Sequence, residues 1–407
     1  MTPRPRCSLS LSVSWRRLVG GGVLLLWVGC GNDSPTTPES GSGSQALRFN
    51  NFQAASVVIG QADMNSGAPN AGGSTGPAGL QGPLAAGADT YYLPDTGNHR
   101  ILGFDAVPTS NGASATFVLG QPDFTSNASG TTAQNFKFPG ECAVSGGKLF
   151  LADNSNNRVL IWNSLPQGNV PADVVVGQTD FVTGTGNISA SKLGNPSCIW
   201  TDGQRMVVAD GDNNRILIWN TIPSTNGAAA DVVVGQPDFV TSTSGLSASK
   251  LDIPVSVWSD GHRLVVADED NSRVLIWNTI PATNGALADV VVGAPDFVTV
   301  GGSATATTFS APSCVVSDGT SLFVADTDNN RVLIFTPFPT TNGAAASRVL
   351  GQSDFTHSAY NDDNQDGVAD GNPSARGMHW PYDIRFSGHR MLVADSGNHR
   401  ILVFQSK

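Results

Sequence analysis

The stretch "VVADEDNSRVLIWN", Val265 to Asn278, places Asp268, Asn271 and Arg273 in a short polar island between two apolar runs. The same spacing, D-x-x-N-x-R, occurs six times: Asp95/Asn98/Arg100, Asp153/Asn156/Arg158, Asp210/Asn213/Arg215, Asp268/Asn271/Arg273, Asp326/Asn329/Arg331 and Asp395/Asn398/Arg400. Successive Asp residues are separated by 58, 57, 58, 58 and 69 positions. A period of this size marks a repeat architecture, in which each unit buries its apolar faces against its neighbours. A reaction centre is rarely needed once per unit, whereas a structural joint always is. The trio therefore reads as a joint.

A second marker follows each island or precedes the next: "VVIGQADM" at Val57, "FVLGQPDF" at Phe117, "VVVGQTDF" at Val174, "VVVGQPDF" at Val232, "VVVGAPDF" at Val290 and "RVLGQSDF" at Arg348. The intervening runs are short, rich in Val, Ile and Trp, and bounded by Gly, Asn and Pro, which predicts strands. They are apolar at consecutive positions, so both faces are expected to be buried. Each unit resolves into four strands, shown by "PVSVWSDG" from Pro254, "RLVVAD" from Arg263, "RVLIWN" from Arg273 and "DVVVGAPDF" from Asp289. The fold class is all-β: a six-bladed β-propeller of four-stranded antiparallel blades. The first second-marker copy precedes any island, and the last unit stops after its third strand at "RILVFQSK". The strand near Val57 is thus expected to complete the last blade and leave no open edge.

In a hairpin with this loop, Asp268 and Arg273 should face one another as a partly buried cross-strand pair, and so should the five equivalent pairs. Asn271 is expected to take the turn position that needs positive φ. The proline-led inner strand followed by DG-x-x-L-x-V-A-D-x-x-N-x-R-V-L-x-[WF] resembles the NHL-repeat family of six-bladed propellers. Pro312 through Phe335, "PSCVVSDGTSLFVADTDNNRVLIF", shows it most completely, and the likeness spans about Gln45 to Lys407. The first unit departs most: "PLAAGADTYYLPD" is two residues short between its proline and Asp95, which predicts an irregular blade one.

Residues 1–29 read as a signal peptide, with Arg16 and Arg17 before an apolar stretch from Leu18 to Val28. Gly29 directly before Cys30 resembles a bacterial lipobox, which implies lipidation of Cys30. Residues 30–45, "GNDSPTTPESGSGS" among them, form a flexible tether, and residues 46–407 the propeller. The expected location is the bacterial cell envelope, on the periplasmic or outer-surface side, with the membrane reached through the lipid alone. Loss of residues 1–29 removes Arg4, Arg6, Arg16 and Arg17 and moves the net charge of −11 to about −15. Some NHL propellers bind RNA; that needs a basic face, so nucleic acid is not an expected partner here. Cys142, Cys198 and Cys314 read as buried small side chains on inner strands. Trp162, Trp219 and Trp277 recur at one blade position and read as packing between blades.

Three places could carry chemistry. Residues two beyond each inner-strand proline, Ala85, Glu141, Cys198, Ser256, Cys314 and Asp383, should ring the central channel. Propellers with lactonase or lyase activity gather carboxylate, Asn or His ligands around a channel metal, and Glu141, Asp383 and His379 are the candidates here. In "NDDNQDGVADGN", Asp362, Asn364, Asp366 and Asp370 follow D-x-N-x-D-G-x-x-D, which resembles the Ca²⁺ loops of dockerins and thrombospondin type-3 repeats. The connections between blades should all emerge on one face, where binding commonly resides. The expected function is a monomeric, lipid-anchored scaffold that binds a protein or peptide; the rivals are a metal-dependent lyase or lactonase and an architectural envelope protein.

Overall fold

The computed structural model describes residues 46–85 and 92–407. Blade four shows how a unit is built. Its inner strand Pro254–Ser259 pairs antiparallel with Leu264–Asp268, which pairs with Arg273–Trp277, which pairs with Val290–Val292. Blades two, three and five repeat this order. In blade six, strands Pro381–Ser387, Arg390–Asp395 and Arg400–Gln405 are completed by Val57–Ile59, with Val58 opposite Leu402. The ring therefore closes through a strand from the other end of the chain. Blade one contributes Tyr92–Asp95, Arg100–Gly103 and Phe117–Leu119; its expected inner strand starts at Pro83, where residues 83–85 are in no strand, and runs on into residues 86–91, outside the described residues.

The outer strands are shorter than the sequence suggests, three residues each. In blade three the strand ends at Val234 because Gly235 takes φ +86° and turns the chain over the blade. A Cβ there would lie 2.5 Å from Leu251 Cδ1, so glycine is required on both counts. The short edge is also capped from outside. Asn284 of the next blade accepts the Val233 N–H at 3.0 Å, and Asn111, Asn226, Asn342 and Asn51 do the same for Val58, Val175, Val291 and Val349. At the remaining boundary Asn169 accepts from Gly120 instead. These asparagines blunt the outer edges, where an open row of donors would invite another chain.

Six apolar clusters fill the six interfaces between blades. Trp162, Trp219 and Trp277 are buried in them, each indole N–H donating to a carbonyl of its own blade (Val170, Ala228 and Ala286).

Asp268 and Arg273 face one another in register, as the hairpin reading requires. The expected partial burial is incorrect, however. Both side chains are fully inaccessible, with Arg273 Nε 2.7 Å from Asp268 Oδ2. The same correction applies in every other blade. Arg100 with Asp95, Arg158 with Asp153, Arg215 with Asp210, Arg331 with Asp326 and Arg400 with Asp395 are all fully inaccessible, at 2.6–2.7 Å.

The cause lies outside the hairpin. Asp268 accepts the Asp252 N–H and the Asn271 amide, while Arg273 donates to the carbonyls of Phe297, Ser247 and Lys250. Ser247, Lys250 and Asp252 lie on the chain arriving from blade three, and Phe297 on the chain leaving for blade five. The other units repeat the pattern. Arg158 donates to the carbonyls of Phe181, Thr132 and Asn135. Arg215 donates to those of Phe239, Ser189 and Lys192, and Arg331 to those of Phe355, Thr305 and Thr308. One trio thus clamps two inter-blade connections, which fold over it and exclude water. A cross-strand pair alone would leave the guanidinium edge wet.

The positive φ falls one residue later than expected, on Ser272 (φ 50°) and its counterparts His99, Asn157, Asn214, Asn330 and His399. Asn271 remains free to brace Asp268. At all six boundaries the side chain at the positive-φ position reaches across and accepts the N–H of the residue before the next proline, Ser272 Oγ doing so from Ala311 at 3.4 Å. Asn214 does so from Ile253 at 2.8 Å, Asn157 from Asn195 at 2.8 Å and Asn330 from Trp380 at 2.9 Å. At the two boundaries of blade one the acceptor is a histidine: His399 Nδ1 from Gly82 at 2.9 Å, and His99 Nδ1 from Phe138 at 3.1 Å.

Both kinds of contact can be tested by stability. Arg273→Ala strands a buried carboxylate and should cost about 3–5 kcal/mol of unfolding free energy, whereas loss of the surface pair through Arg205→Ala should cost about 1 kcal/mol or less; urea unfolding compares them. Protonation at Nδ1 removes the His99 and His399 acceptors, and burial holds both rings below their ordinary 6.5. The native state therefore resists a proton that the unfolded chain accepts. The stability these groups contribute should be full above pH 6.5 and decline as pH falls below it. Replacing both histidines by Asn, the residue used at three other boundaries, should flatten that decline in thermal melts.

Candidate functional site: the central channel and its mouth

Each described inner strand carries a register shift just after its proline, as between Pro254 and Ser256. The shift turns the second residue beyond the proline toward the axis. Members of the expected ring on neighbouring blades meet: Cys314 Sγ lies 3.0 Å from Asp383 Oδ1 and Cys198 Sγ 3.9 Å from Ser256 Oγ. These side chains also tie neighbouring strands together. Cys198 Sγ accepts the Val257 N–H, Ser256 Oγ the Val315 N–H and Cys314 Sγ the Ile384 N–H. Cys142, Cys198 and Cys314 are buried thiols and are joined in no disulfide. Burial pushes the Cys198 and Cys314 thiols well up, which keeps them protonated and unreactive.

Glu141 and Asp383 are brought together, and what joins them is Arg385. Its guanidinium pairs with the Glu141 carboxylate and lies 3.0 Å from Asp383 Oδ1. An arginine thus sits where a channel metal would have to sit between the two carboxylates. Burial pushes the Glu141 carboxyl up to about 7 against the pull of Arg385, with Asp383 adding to the rise. His379 does not join them. Its backbone N–H donates to Asp395 Oδ1 at 2.7 Å, and its ring stacks on Tyr360 (4.2 Å between centroids) beside Trp380. Among the described residues no group of three or more His, Cys, Asp or Glu is arranged to hold a metal ion.

Spacing alone could have found Arg385: it stands two residues beyond Asp383 on one strand, hence on the same face. The ring of second residues is only the first tier of the channel. The next tier is Ala143, Trp200, Trp258, Val316 and Arg385. Together with Glu141 it lines a cavity of about 160 Å³ that opens away from the trios.

The opposite mouth, on the side of the trios, has a different character. The six residues before the inner-strand prolines, Gly82, Phe138, Asn195, Ile253, Ala311 and Trp380, all take φ between 47° and 57°. That conformation is uncommon for any non-glycine residue and disfavoured before proline. Yet three positions carry large apolar side chains, and these are exposed: Phe138 at 45 %, Ile253 at 36 % and Trp380 at 52 %. They stand on blades two, four and six. On the same side of the ring, in the turn after Asp268, burial pushes the Glu269 carboxyl up to about 7, and Asp270 and Asp328 crowd it further. In the sequence these positions look like spacers before a proline. The available signal is the recurrence of a bulky residue in that slot.

Asp362, Asn364, Asp366 and Asp370 lie on one loop outside blade six. Asp362 is fully buried, its two oxygens accepting the Asp366 and Gly367 N–H groups at 3.1 and 2.9 Å. Asn364 accepts the Asp366 N–H, Asp366 the Val368 N–H and Asp370 the Asp363 N–H. Gly367 takes φ +83°, the sharp turn the pattern requires. Cys30, with the expected signal and tether, lies outside the described residues. Among the described residues no helix is long and apolar enough to cross a membrane.

No protein-family model and no curated protein matches the chain. Many solved structures are similar in fold. One is a structural-genomics protein of unknown function from Bacteroides thetaiotaomicron (TM-score 0.47, 11 % identity, 87 % of this chain and 75 % of that one). Another is the computationally designed Ika8 protein (0.41, 9 %, 87 % and 100 %). A third, from Bacteroides uniformis and provisionally named a 6-phosphogluconolactonase, gives 0.42, 15 %, 81 % and 82 %. At these values none of them bears on activity.

The channel itself yields a test. Native Glu141 keeps its proton up to about pH 7, whereas the unfolded chain releases it near 4.5. Its contribution to stability is therefore present below pH 4.5 and lost as pH rises to about 7. Glu141→Gln should remove that loss in melts recorded across this range, while an unchanged profile would place the titration elsewhere.

Proposed function

We propose that the chain is a lipid-anchored, extracytoplasmic propeller of the NHL-repeat kind that binds a protein or peptide through the face carrying the inter-blade connections. The observation behind this reading is the exposed trio Phe138, Ile253 and Trp380 at the channel mouth. Aromatic and aliphatic side chains held rigidly at a rim are the usual anchors of protein recognition. The surrounding connections are already fixed by the buried arginines, so a partner would order little of this surface on binding. The carboxylates of Glu269, Asp270 and Asp328 on the same side of the ring favour a partner whose contacting segment is not acidic.

The reading is tested by face-specific substitution. Phe138→Ser, Ile253→Ser and Trp380→Ser together should abolish capture of the partner from a cell-envelope extract while leaving the melting temperature near that of the parent. Leu165→Ser with Leu287→Ser, at exposed positions in the strand-three to strand-four connections of the other face, should leave capture intact. Retention of the same partner by the triple variant would reject this face as the binding surface.

A further inference from the structure

We infer that the corner where residues 46–50 meet blades five and six docks on an anionic membrane surface. This rests on the lipid-anchored reading above.

The chain is acidic, with a net charge of −11, and among the described residues nine of the 18 Lys and Arg side chains are held in ion pairs. Six arginines are buried against the trio aspartates, and Arg205, Arg263 and Arg385 are paired with carboxylates. Against that background Arg48, Arg348 and Lys407 are exposed, and none of them forms an ion pair among the described residues. All three line one cavity of about 800 Å³, whose wall includes Leu47 and Ile334. Arg48 and Lys407 also border an adjoining cavity of about 390 Å³ with His389. Among the described residues the negative group facing this corner is Asp318, one oxygen of which accepts the Leu47 N–H at 2.8 Å. The balance is basic on a molecule that is otherwise acidic.

The place matters as much as the sign. Ala46, Leu47 and Arg48 line the cavity and are also where the segment leading from Cys30 joins the propeller. That segment spans roughly 50 Å at full stretch, so the corner is within reach of a membrane holding Cys30. At physiological ionic strength charges are screened beyond about 8 Å. The nearest side chains, not the net charge, therefore decide which way the molecule turns toward a layer of lipid phosphates. The guanidinium groups of Arg48 and Arg348 can each take a phosphate through two parallel N–H donors. Lys407 N–H is bonded to the Arg48 carbonyl at 3.1 Å, which fixes the segment against the end of the last strand. This corner is on the side of the disc away from the trios. Docking there would turn Phe138, Ile253 and Trp380 outward, toward a partner.

The probe is a vesicle. The chain from residue 30 onward with Cys30→Ser keeps the whole propeller and carries no acyl group. It should sediment with vesicles containing phosphatidylglycerol but not with pure phosphatidylcholine, and raising salt from about 20 to about 300 mM should weaken this about tenfold or more. Arg48→Glu with Arg348→Glu should abolish sedimentation. Lys137→Glu with Arg376→Glu, an equal charge change at exposed positions on the other side, should not. No sedimentation with either lipid overturns the inference, as does an equal loss in both double variants, which would mean that net charge alone decides. Membrane fractionation of the full chain against Cys30→Ser tests the anchor separately. A parent chain found in the soluble fraction would refute lipidation whatever the vesicles show, and an anchored parent whose Cys30→Ser form ignores vesicles would refute the corner alone.

Discussion

The Asp268–Arg273 ion pair and its five counterparts govern how this chain can close. Arg273 has its Nε and both Nη groups satisfied, by one carboxylate and three carbonyls drawn from two different inter-blade connections. Arg158, Arg215 and Arg331 are satisfied in the same way. A buried pair of this kind adds little stability over an apolar packing of the same volume, but losing one partner is severely destabilising. Its consequence is geometric. Only a chain path that delivers the carbonyls of Ser247, Lys250 and Phe297 to one point leaves the guanidinium satisfied. Paths that miss that point strand a charge in a dry interior. Because each connection is shared by the trio it leaves and the trio it enters, the constraint passes from blade to blade around the ring.

A second layer of polar side chains completes the clamp. Gln61, Gln121, Gln178, Gln236 and Gln352 are buried, and each donates to the carbonyl of the positive-φ residue that follows the trio asparagine. In blade four the position is Ala294, also buried, so that unit relies on the arginine and the glycine turn without the amide. The amide is therefore an addition to the joint and the ion pair its foundation. The cross-boundary bond from Asn214 to Ile253 extends the same logic to the channel mouth: the rim residue of one blade is positioned by the turn of the blade before it.

The features readable from sequence are those set by spacing. The period of the trio gave the blade count, the missing outer strand gave the seam at Val57, and Asp268 opposite Arg273 followed from loop length. Features set by distant segments were not readable. The Asp268–Arg273 pair is fully buried because the chain at Ser247, more than twenty residues away, folds over it. The positive φ moved from Asn271 to Ser272 because Asn271 is held by Asp268, a preference that turn statistics for an isolated hairpin do not contain. In the channel, Glu141 and Asp383 were found by position, but their chemistry changed with Arg385, which neutralises the pair that spacing alone offered as metal ligands.

The rim of the mouth is the place where the joint alone does not account for the residues present. Every position there takes φ near +50°, which glycine adopts freely and which costs an L-residue roughly 1–2 kcal/mol. Gly82 in blade one shows that glycine satisfies the geometry. Asn195 and Ala311 show that small side chains do as well. Phe138, Ile253 and Trp380 bear the same strain with bulky groups that stay 36–52 % exposed, with a His99 ring contact on Phe138 and the ring of His379 beside Trp380. Packing within the blade gives no reason for those three side chains. Contact with something that covers the mouth does, and the clamped connections around them hold the surface ready for it.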